Sequence, residues 1–470
     1  ESPEAERHET KVLFRKALTL VTCARAQFQL PGRERRDYGR VAGKEKVDKR
    51  PKWDIYKSIF VRRLKQCEAK EFFDTDKILS KAHDTDWGRV AAKERFRNFI
   101  ARKDRGLAVD PLALHRELKE VKKALRDNIV IIRAAFQYYC MFGAAVGESA
   151  FSMHLNNWTS FLQECGILDH RKGSPTNQTA MDTLFITVNY EEDKASAEAQ
   201  ENDDRALMRF EWYEIIVRTA VLKFVGGGVT NDISDAVNML VDRHLKPHLP
   251  PAALEDPNDF RETRLYNFEN DQVFQNHLPL LESIFEYYKA ANITNYLWME
   301  HWILLLEDCL LIGGHTGLSK FDAKVIFAKA KMAASDEFER RQRVISHYFI
   351  DFLEALARTA DFISLPTAKE LQEWTRQNKP TQHGEAVSGE EHQYWLYNKK
   401  LKQAGSTGVQ RISRGLGTKT RGVHEKLEAL LDLMVGGLCE VWDVSTPKSL
   451  IAKMGKATHT LTRSRVKPSD

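Results

Sequence analysis

Two eight-residue stretches carry the same order of chemical types: Arg209-Phe210-Glu211-Trp212-Tyr213-Glu214-Ile215-Ile216 and Phe349-Ile350-Asp351-Phe352-Leu353-Glu354-Ala355-Leu356. Each runs on into an identical Arg-Thr-Ala, Arg218-Thr219-Ala220 and Arg358-Thr359-Ala360. The shared pattern is a short alternating piece, then a Glu that opens an apolar helix. The likeness extends upstream. Phe136-Gln137-Tyr138-Tyr139 returns as Phe285-Glu286-Tyr287-Tyr288, and Met153-His154-Leu155-Asn156-Asn157-Trp158 as Leu297-Trp298-Met299-Glu300-His301-Trp302. Trp158 and Trp302 precede Cys165 and Cys309 by the same interval, and Leu184-Phe185 matches Ile326-Phe327. Elements that recur in one order predict an internal duplication, and a chain so built must pack two similar helical units.

The chain of 470 residues is 42% hydrophobic and 29% charged with 14 prolines, which suits a helix-rich globular protein of two to four domains. The expected divisions are 1–126 (helical and basic extension), 127–225 (first unit), 226–275 (connector), 276–365 (second unit) and 366–470 (helices, basic loop and tail). A net charge of +5 is too small to diagnose a nucleic-acid binder. The six cysteines are scattered without a CxxC pair, so reduced thiols and a cytoplasmic setting are expected. No signal-peptide pattern stands in this sequence, which begins with Glu1. The run Ile129 to Gly147 has about the length of a bilayer span. Arg133 and Gln137 interrupt it, and its counterpart carries Glu282, Glu286 and Lys289. A buried core helix is the better reading.

Along the rest of the chain, an amphipathic helix is expected around Phe14 to Val21, then a basic linker from Pro31 to Lys52. Trp53 to Phe99 predicts short helices broken near Phe72 and Trp87. Asp74-Thr75-Asp76 and Asp84-Thr85-Asp86 lack the Gly and Glu of a calcium loop, so helix caps are expected. Leu114 to Tyr139 predicts one long helix. Gly226-Gly227-Gly228 ends a helix, and Thr230 or Asn231 is expected to cap the next, which runs from Ile233 to Leu245. Pro247 and Pro250-Pro251 are expected to stop that helix, and Pro247, between His244 and His248, to leave the histidines unrelated to a metal. Helices are expected over Thr367 to Gln377 and His424 to Trp442.

The strand-then-Glu unit resembles the second half of an EF-hand, in which loop position 8 forms a small β-bridge and position 12 is the Glu of the exiting helix. With position 8 at Met153, Phe210, Leu297 and Ile350, positions 1, 3 and 5 are Val146, Glu148 and Ala150; Asp203, Arg205 and Leu207; Ala290, Asn292 and Thr294; and Arg343, Ile345 and His347. Position 12 falls at Asn157, Glu214, His301 and Glu354, and Phe151, Met208, Asn295 and Tyr348 replace the bend Gly. Lone carboxylates cannot offset the dehydration of a divalent cation, so Glu214 and Glu354 are read as vestigial and no bound metal is expected. The acidic loop 189–204 is the one place left for a cation.

Over Asn128 to Leu365 the chain resembles the EF-hand-like flagellar-associated proteins of protist axonemes, some of which line doublet microtubules. The resemblance implies an all-α protein of two degenerate EF-hand-like pairs with minimal β-bridges. It also implies a calcium-independent structural role in the cilium or flagellum, with tubulin and other axonemal proteins as partners. No P-loop, Gly-x-Ser-x-Gly, His-Glu-x-x-His or dinucleotide fingerprint is present, so neither an enzyme nor a cofactor is expected. The span Lys399 to Arg421 carries Lys399, Lys400, Lys402, Arg411, Arg414, Lys419 and Arg421 and no acid. It is the candidate polymer-binding strip. A calcium-responsive regulator is the alternative reading, and a nucleic-acid adaptor the third.

Overall fold

The computed structural model describes residues 53–101, 111–143, 151–171, 173–190, 206–290, 296–363, 365–377, 392–403 and 421–466. The expected helix around Phe14 and the basic linker to Lys52 lie outside them. The described residues form an all-α fold whose only strands are two pairs of two residues. Helices of eight or more residues are α1 (Asp76–Ala92), α2 (Glu94–Ala101), α3 (Pro111–Asp127), α4 (Ile129–Cys140), α5 (Leu155–Glu164), α6 (Gln178–Val188), α7 (Arg209–Ala220), α8 (Ile233–Leu240) and α9 (Phe268–Asn276). They continue as α10 (Leu278–Ala290), α11 (Met299–Asp308), α12 (Lys320–Lys329), α13 (Phe349–Ile363), α14 (Ala368–Gln377), α15 (Gln393–Gln403), α16 (Val423–Val441) and α17 (Pro447–Val466). The strands are β1 (Met153–His154), β2 (Ala206–Leu207), β3 (Leu297–Trp298) and β4 (Ser346–His347).

The repeated sequence becomes a repeated structure. The order α4-β1-α5-α6-β2-α7 returns as α10-β3-α11-α12-β4-α13. In each unit two helix–strand–helix pieces meet through an antiparallel bridge, Met153 opposite Leu207 and Leu297 opposite His347. Side-chain bonds repeat too. The Trp158 and Trp302 indoles donate to the carbonyls of Met181 (3.4 Å) and Ala323 (3.1 Å), and the Tyr139 and Tyr288 hydroxyls donate to Glu164 (2.8 Å) and Asp308 (2.5 Å). Cys165 and Cys309 close α5 and α11, both fully buried.

One continuous apolar core runs from Ile59 to Met454 and includes α7 and α13. Every residue from Phe210 to Ala220 and from Phe349 to Ala360 is buried. A helix buried all round has no solvent face, so its polar residues must find partners inside the protein. α7 lies against α1, α6 and α8, and α13 against α12, α16 and the short helix Arg62–Gln66.

Several local expectations need correction. The long helix expected over Leu114 to Tyr139 breaks at Asn128, whose amide donates to the Ala124 carbonyl and to Asn238. α1 passes unbroken through Trp87, because Trp87 packs edge-on against Phe96 from the core face of the helix. Asp232, not Thr230 or Asn231, caps α8, its carboxylate accepting from the Asp235 amide. Gly228 takes the left-handed conformation (φ +68°) that ends the preceding helix and that glycine adopts without strain. The helical course continues one residue past Pro247, to His248, and stops ahead of Pro250-Pro251. A widened π turn at Val241–Leu245 precedes Pro247 and accommodates the missing N–H.

Helix α16 presents Gly436 and Gly437 to the Trp395 ring of α15. A Cβ at Gly436 would stand 2.5 Å from the Trp395 Cβ, which sits close to the backbone and cannot swing away. Gly436→Ala is therefore expected to lower stability by about 1–3 kcal/mol, read as a shift in the chemical-denaturation midpoint with Trp fluorescence.

Candidate functional site

The observed strands correct the register expected for the second loop of each unit. Residues 206–207 and 346–347 form the bridges, three positions ahead of the expected Phe210 and Ile350, because those two aromatic and aliphatic side chains already belong to the first turns of α7 and α13. The acids four residues beyond the paired Leu207 and His347 are therefore Glu211 and Asp351, not Glu214 and Glu354. Glu211 accepts from the Met208 amide (2.9 Å) and Asp351 from the Tyr348 amide (3.0 Å). Each closes the first turn of its helix and satisfies an N–H that the helix cannot.

Glu214 and Glu354 lie one turn further along, in the core. Glu354 is 1% exposed and both carboxylate oxygens are occupied. Oε1 accepts from Arg358 (2.7 and 2.9 Å), while Oε2 accepts from Arg63 (2.6 Å) and Arg261 (3.0 Å). Arg63 also grips Asp351, and Arg261 reaches the carbonyls of Lys329 and Lys331. Burial raises the Glu354 carboxyl, but the guanidiniums of Arg261, Arg358 and Arg63 outweigh it and hold the group below the usual carboxylate range. The first unit carries a lighter version. Glu214 pairs with Arg218 (2.8 Å) and with Lys93 (2.9 Å), which is also 3.8 Å from Glu211.

Groups distant in sequence hold the start of each central helix. The Arg209 amide donates to Glu337 (2.9 Å), and its guanidinium makes a forked pair with Asp86 (2.5 and 3.1 Å) and reaches the carbonyls of Ala334 and Ser335. The Ile350 amide donates to Gln66 (3.1 Å). Asp86 thus sits inside α1 as an ion-pair partner rather than in the cap expected of Asp84-Thr85-Asp86, and Asp74 accepts from the Ala333 amide and lies 3.6 Å from Arg261. These pairings join residues more than a hundred positions apart, and no local spacing announces them.

A divalent cation at Glu354 would have to displace three buried guanidiniums, which Coulomb repulsion forbids. Counted back from the observed β2, loop positions 1, 3 and 5 ahead of Glu211 fall on Gln200, Asn202 and Asp204, which with most of the acidic loop 189–204 lie outside the described residues. Before β4 they fall on Arg340, Gln342 and Val344, and the short helix Arg341–Ile345 fills that loop. Among the described residues, Glu117, Glu120 and Asp232 bring ligand atoms within 4.8 Å of one another. Asp232 is engaged in capping α8, and Glu117 accepts from the Ile233 amide. His244 donates from Nδ1 to the Cys165 carbonyl and His248 from Nδ1 to the His244 carbonyl, so each ring has a structural partner.

The basic strip divides. Lys399 pairs with Glu440 (2.7 Å), Lys400 lies over the Trp374 ring (5.1 Å), and Lys402 is exposed. Arg421 stands 3.6 Å from Glu425 and its carbonyl accepts from Arg264. Arg411, Arg414 and Lys419 lie outside the described residues. The basic tail, by contrast, is helical. α17 seats Leu450 and Met454 against α10 and exposes Lys448, Lys453 and Lys456, with no acid anywhere along it. Its apolar residues at helical spacing were the available signal. No described helix is long and apolar enough to cross a membrane.

Compared with protein-family models, with curated proteins and with solved structures, the chain matches none of them.

Proposed function

We propose that this protein is a non-catalytic scaffold of the ciliary or flagellar axoneme, in which two calcium-silent EF-hand-like pairs serve as rigid adaptors on doublet microtubules. The observation that carries this reading is that the acids following the bridged strands are already engaged, Asp351 by the Tyr348 amide and the Arg63 guanidinium, and Glu211 by the Met208 amide with Lys93 3.8 Å away. In a working hand the ion ties the loop to its exiting helix. Here side chains from distant segments do so, which keeps the shape while removing the dependence on calcium. Two helix–strand–helix pairs with bridged loops support the EF-hand part, and the acid-free face of α17 supports contact with the acidic surface of tubulin. Affinity comes from many modest contacts multiplied along a repeating lattice.

A calcium-responsive regulator is the second reading. The place of Glu211 four residues beyond paired Leu207 favours it, with oxygen-bearing Gln200, Asn202 and Asp204 at the preceding ligand positions. Against it stand Arg205 at the bend position, Lys93 beside Glu211, and the buried capping bond that Glu211 already makes.

Co-sedimentation with microtubules tests the scaffold. The full chain should pellet equally in calcium and in chelator, and duplex DNA should not compete. Replacing Lys402, Lys448 and Lys456 with Gln should weaken pelleting about tenfold, at about 0.5 kcal/mol per exposed charge. Failure to pellet at low salt, or displacement by DNA, contradicts the reading.

A further inference from the structure

Arg133 and Gln137, the two residues that interrupt the apolar run of α4, both line a cleft of about 100 Å³ between α4, the end of α12 and residues 252–258. A smaller cavity of about 40 Å³ shares Arg133, Gln137, Ala328 and Lys331 with it and adds Arg209 and Glu337. The site therefore lies where the first repeat meets the second.

Arg133 is half-buried, and among the described residues its guanidinium makes no hydrogen bond or ion pair with another side chain or the backbone. Burial pulls its pKa below the ordinary arginine range, and Asp74 acts on it through space. Lys331 is buried and donates to the Ser346 carbonyl, and no carboxylate pairs with it among the described residues. Burial also lowers the Lys331 ammonium to about 8.

The carboxylates that share these walls are committed elsewhere. Asp74 serves the Ala333 amide and Arg261, Glu255 serves Lys329, Asp256 caps the Asn258 amide, and Glu337 serves the Arg209 amide and Arg341. Arg133 and Lys331 thus line one cleft with no carboxylate in ion-pair contact, Asp74 acting on Arg133 and Asp351 on Lys331 only through space.

We infer that this cleft receives the carboxylate side chain of an Asp or Glu from a partner polypeptide, with Arg133 as its forked partner and Lys331 as a second cation. Size and wall chemistry select that occupant. The space holds several waters, enough for a carboxylate on a short stem but well below the ~300 Å³ or more of a typical small-molecule site. Ile129, Val130, Ala134, Val325 and Ala328 give it apolar walls, which suit the methylenes of a side chain better than a free hydrated anion. A guanidinium with open donors matches a carboxylate in a bidentate pair, and a half-buried arginine lining a cleft is of the residue type enriched among interface anchors. Carboxylate binding in this cleft does not require microtubule binding.

The test uses the full chain and two probes, N-acetyl-glutamate N-methylamide and its neutral glutamine isostere, followed through the Arg133 Nε–Hε resonance. The glutamate probe should shift that signal saturably at millimolar concentration, and the glutamine probe should not. In Arg133→Lys, which keeps the charge and the fold but lacks the fork, binding read on neighbouring amides should weaken several-fold. In Arg133→Gln it should weaken by about tenfold or more. Equal response to both probes, unchanged binding in Arg133→Lys, or tighter binding of inorganic phosphate than of the glutamate probe overturns the inference.

Discussion

Glu354→Gln is expected to lower the stability of the chain by about 3–5 kcal/mol, the range typical when one partner of a buried ion pair is removed. The loss arises less from broken bonds than from what remains, because Arg63, Arg261 and Arg358 stay buried around a neutral amide that accepts on one oxygen only. Glu214→Gln should cost less, about 2 kcal/mol, since one arginine faces Glu214 and the Lys93 side chain is 22% exposed and can turn to water. Denaturation midpoints of the two variants, read by circular dichroism, check both the size and the order. Equal losses would mean that the three-guanidinium cluster adds nothing beyond a simple pair.

Acid should destabilise the fold between pH 6.5 and about 4. His83 is fully buried and donates from Nε2 to the Lys122 carbonyl (3.1 Å) while its Nδ1 has no partner. Burial chiefly, helped by Lys122 and Arg126, lowers its pKa to about 4. His347 lies flat on the Phe327 ring (3.5 Å between centroids), donates from Nε2 to the Phe327 carbonyl (2.8 Å), and is held well below 6.5 by burial and by Lys331. Both rings are neutral when folded. The unfolded chain takes up protons first, near pH 6.5, so the stability these histidines contribute is complete above that pH. It is lost as the pH falls toward the folded values. For His83 alone the full loss is about 3 kcal/mol. Urea midpoints measured from pH 7.5 to 4.5 should fall with a slope approaching about 1.4 kcal/mol per pH unit per histidine, and the double variant His83→Gln, His347→Gln should lose most of that slope.

The duplication was legible because it rests on local spacing. Trp158 and Trp302 keep one interval to Cys165 and Cys309, Tyr139 and Tyr288 keep their order ahead of them, and each pair occupies the same place in its unit. The loop register was not legible. Glu211 and Glu214 stand three apart, as do Asp351 and Glu354, so on a helix both members of each pair present nearly the same face. Leu207 and Phe210 stand four before Glu211 and Glu214, and Ile350 stands four before Glu354. His347, four before Asp351, is a poor apolar signal, so the expected register falls on the later acids. Only the pairing of Leu207 with Met153, and of His347 with Leu297, decides between them. The locks around the central helices were hidden for another reason. Arg63 and Glu354, Asp86 and Arg209, and Arg209 and Glu337 are far apart in the chain, and their partnership depends on tertiary packing alone. The basic strip was read as a uniform charge, whereas Glu440 neutralises Lys399 and Trp374 covers Lys400.

Calorimetric titration of the full chain with calcium tests most directly whether the paired units keep their shape without an ion. No saturable heat is expected below about 100 µM, since sensor sites of this class bind at roughly 0.1–10 µM, and the thermal midpoint should be the same in calcium and in chelator. A micromolar site that disappears in Glu211→Gln would contradict a calcium-silent scaffold and establish the loop before β2 as a working sensor.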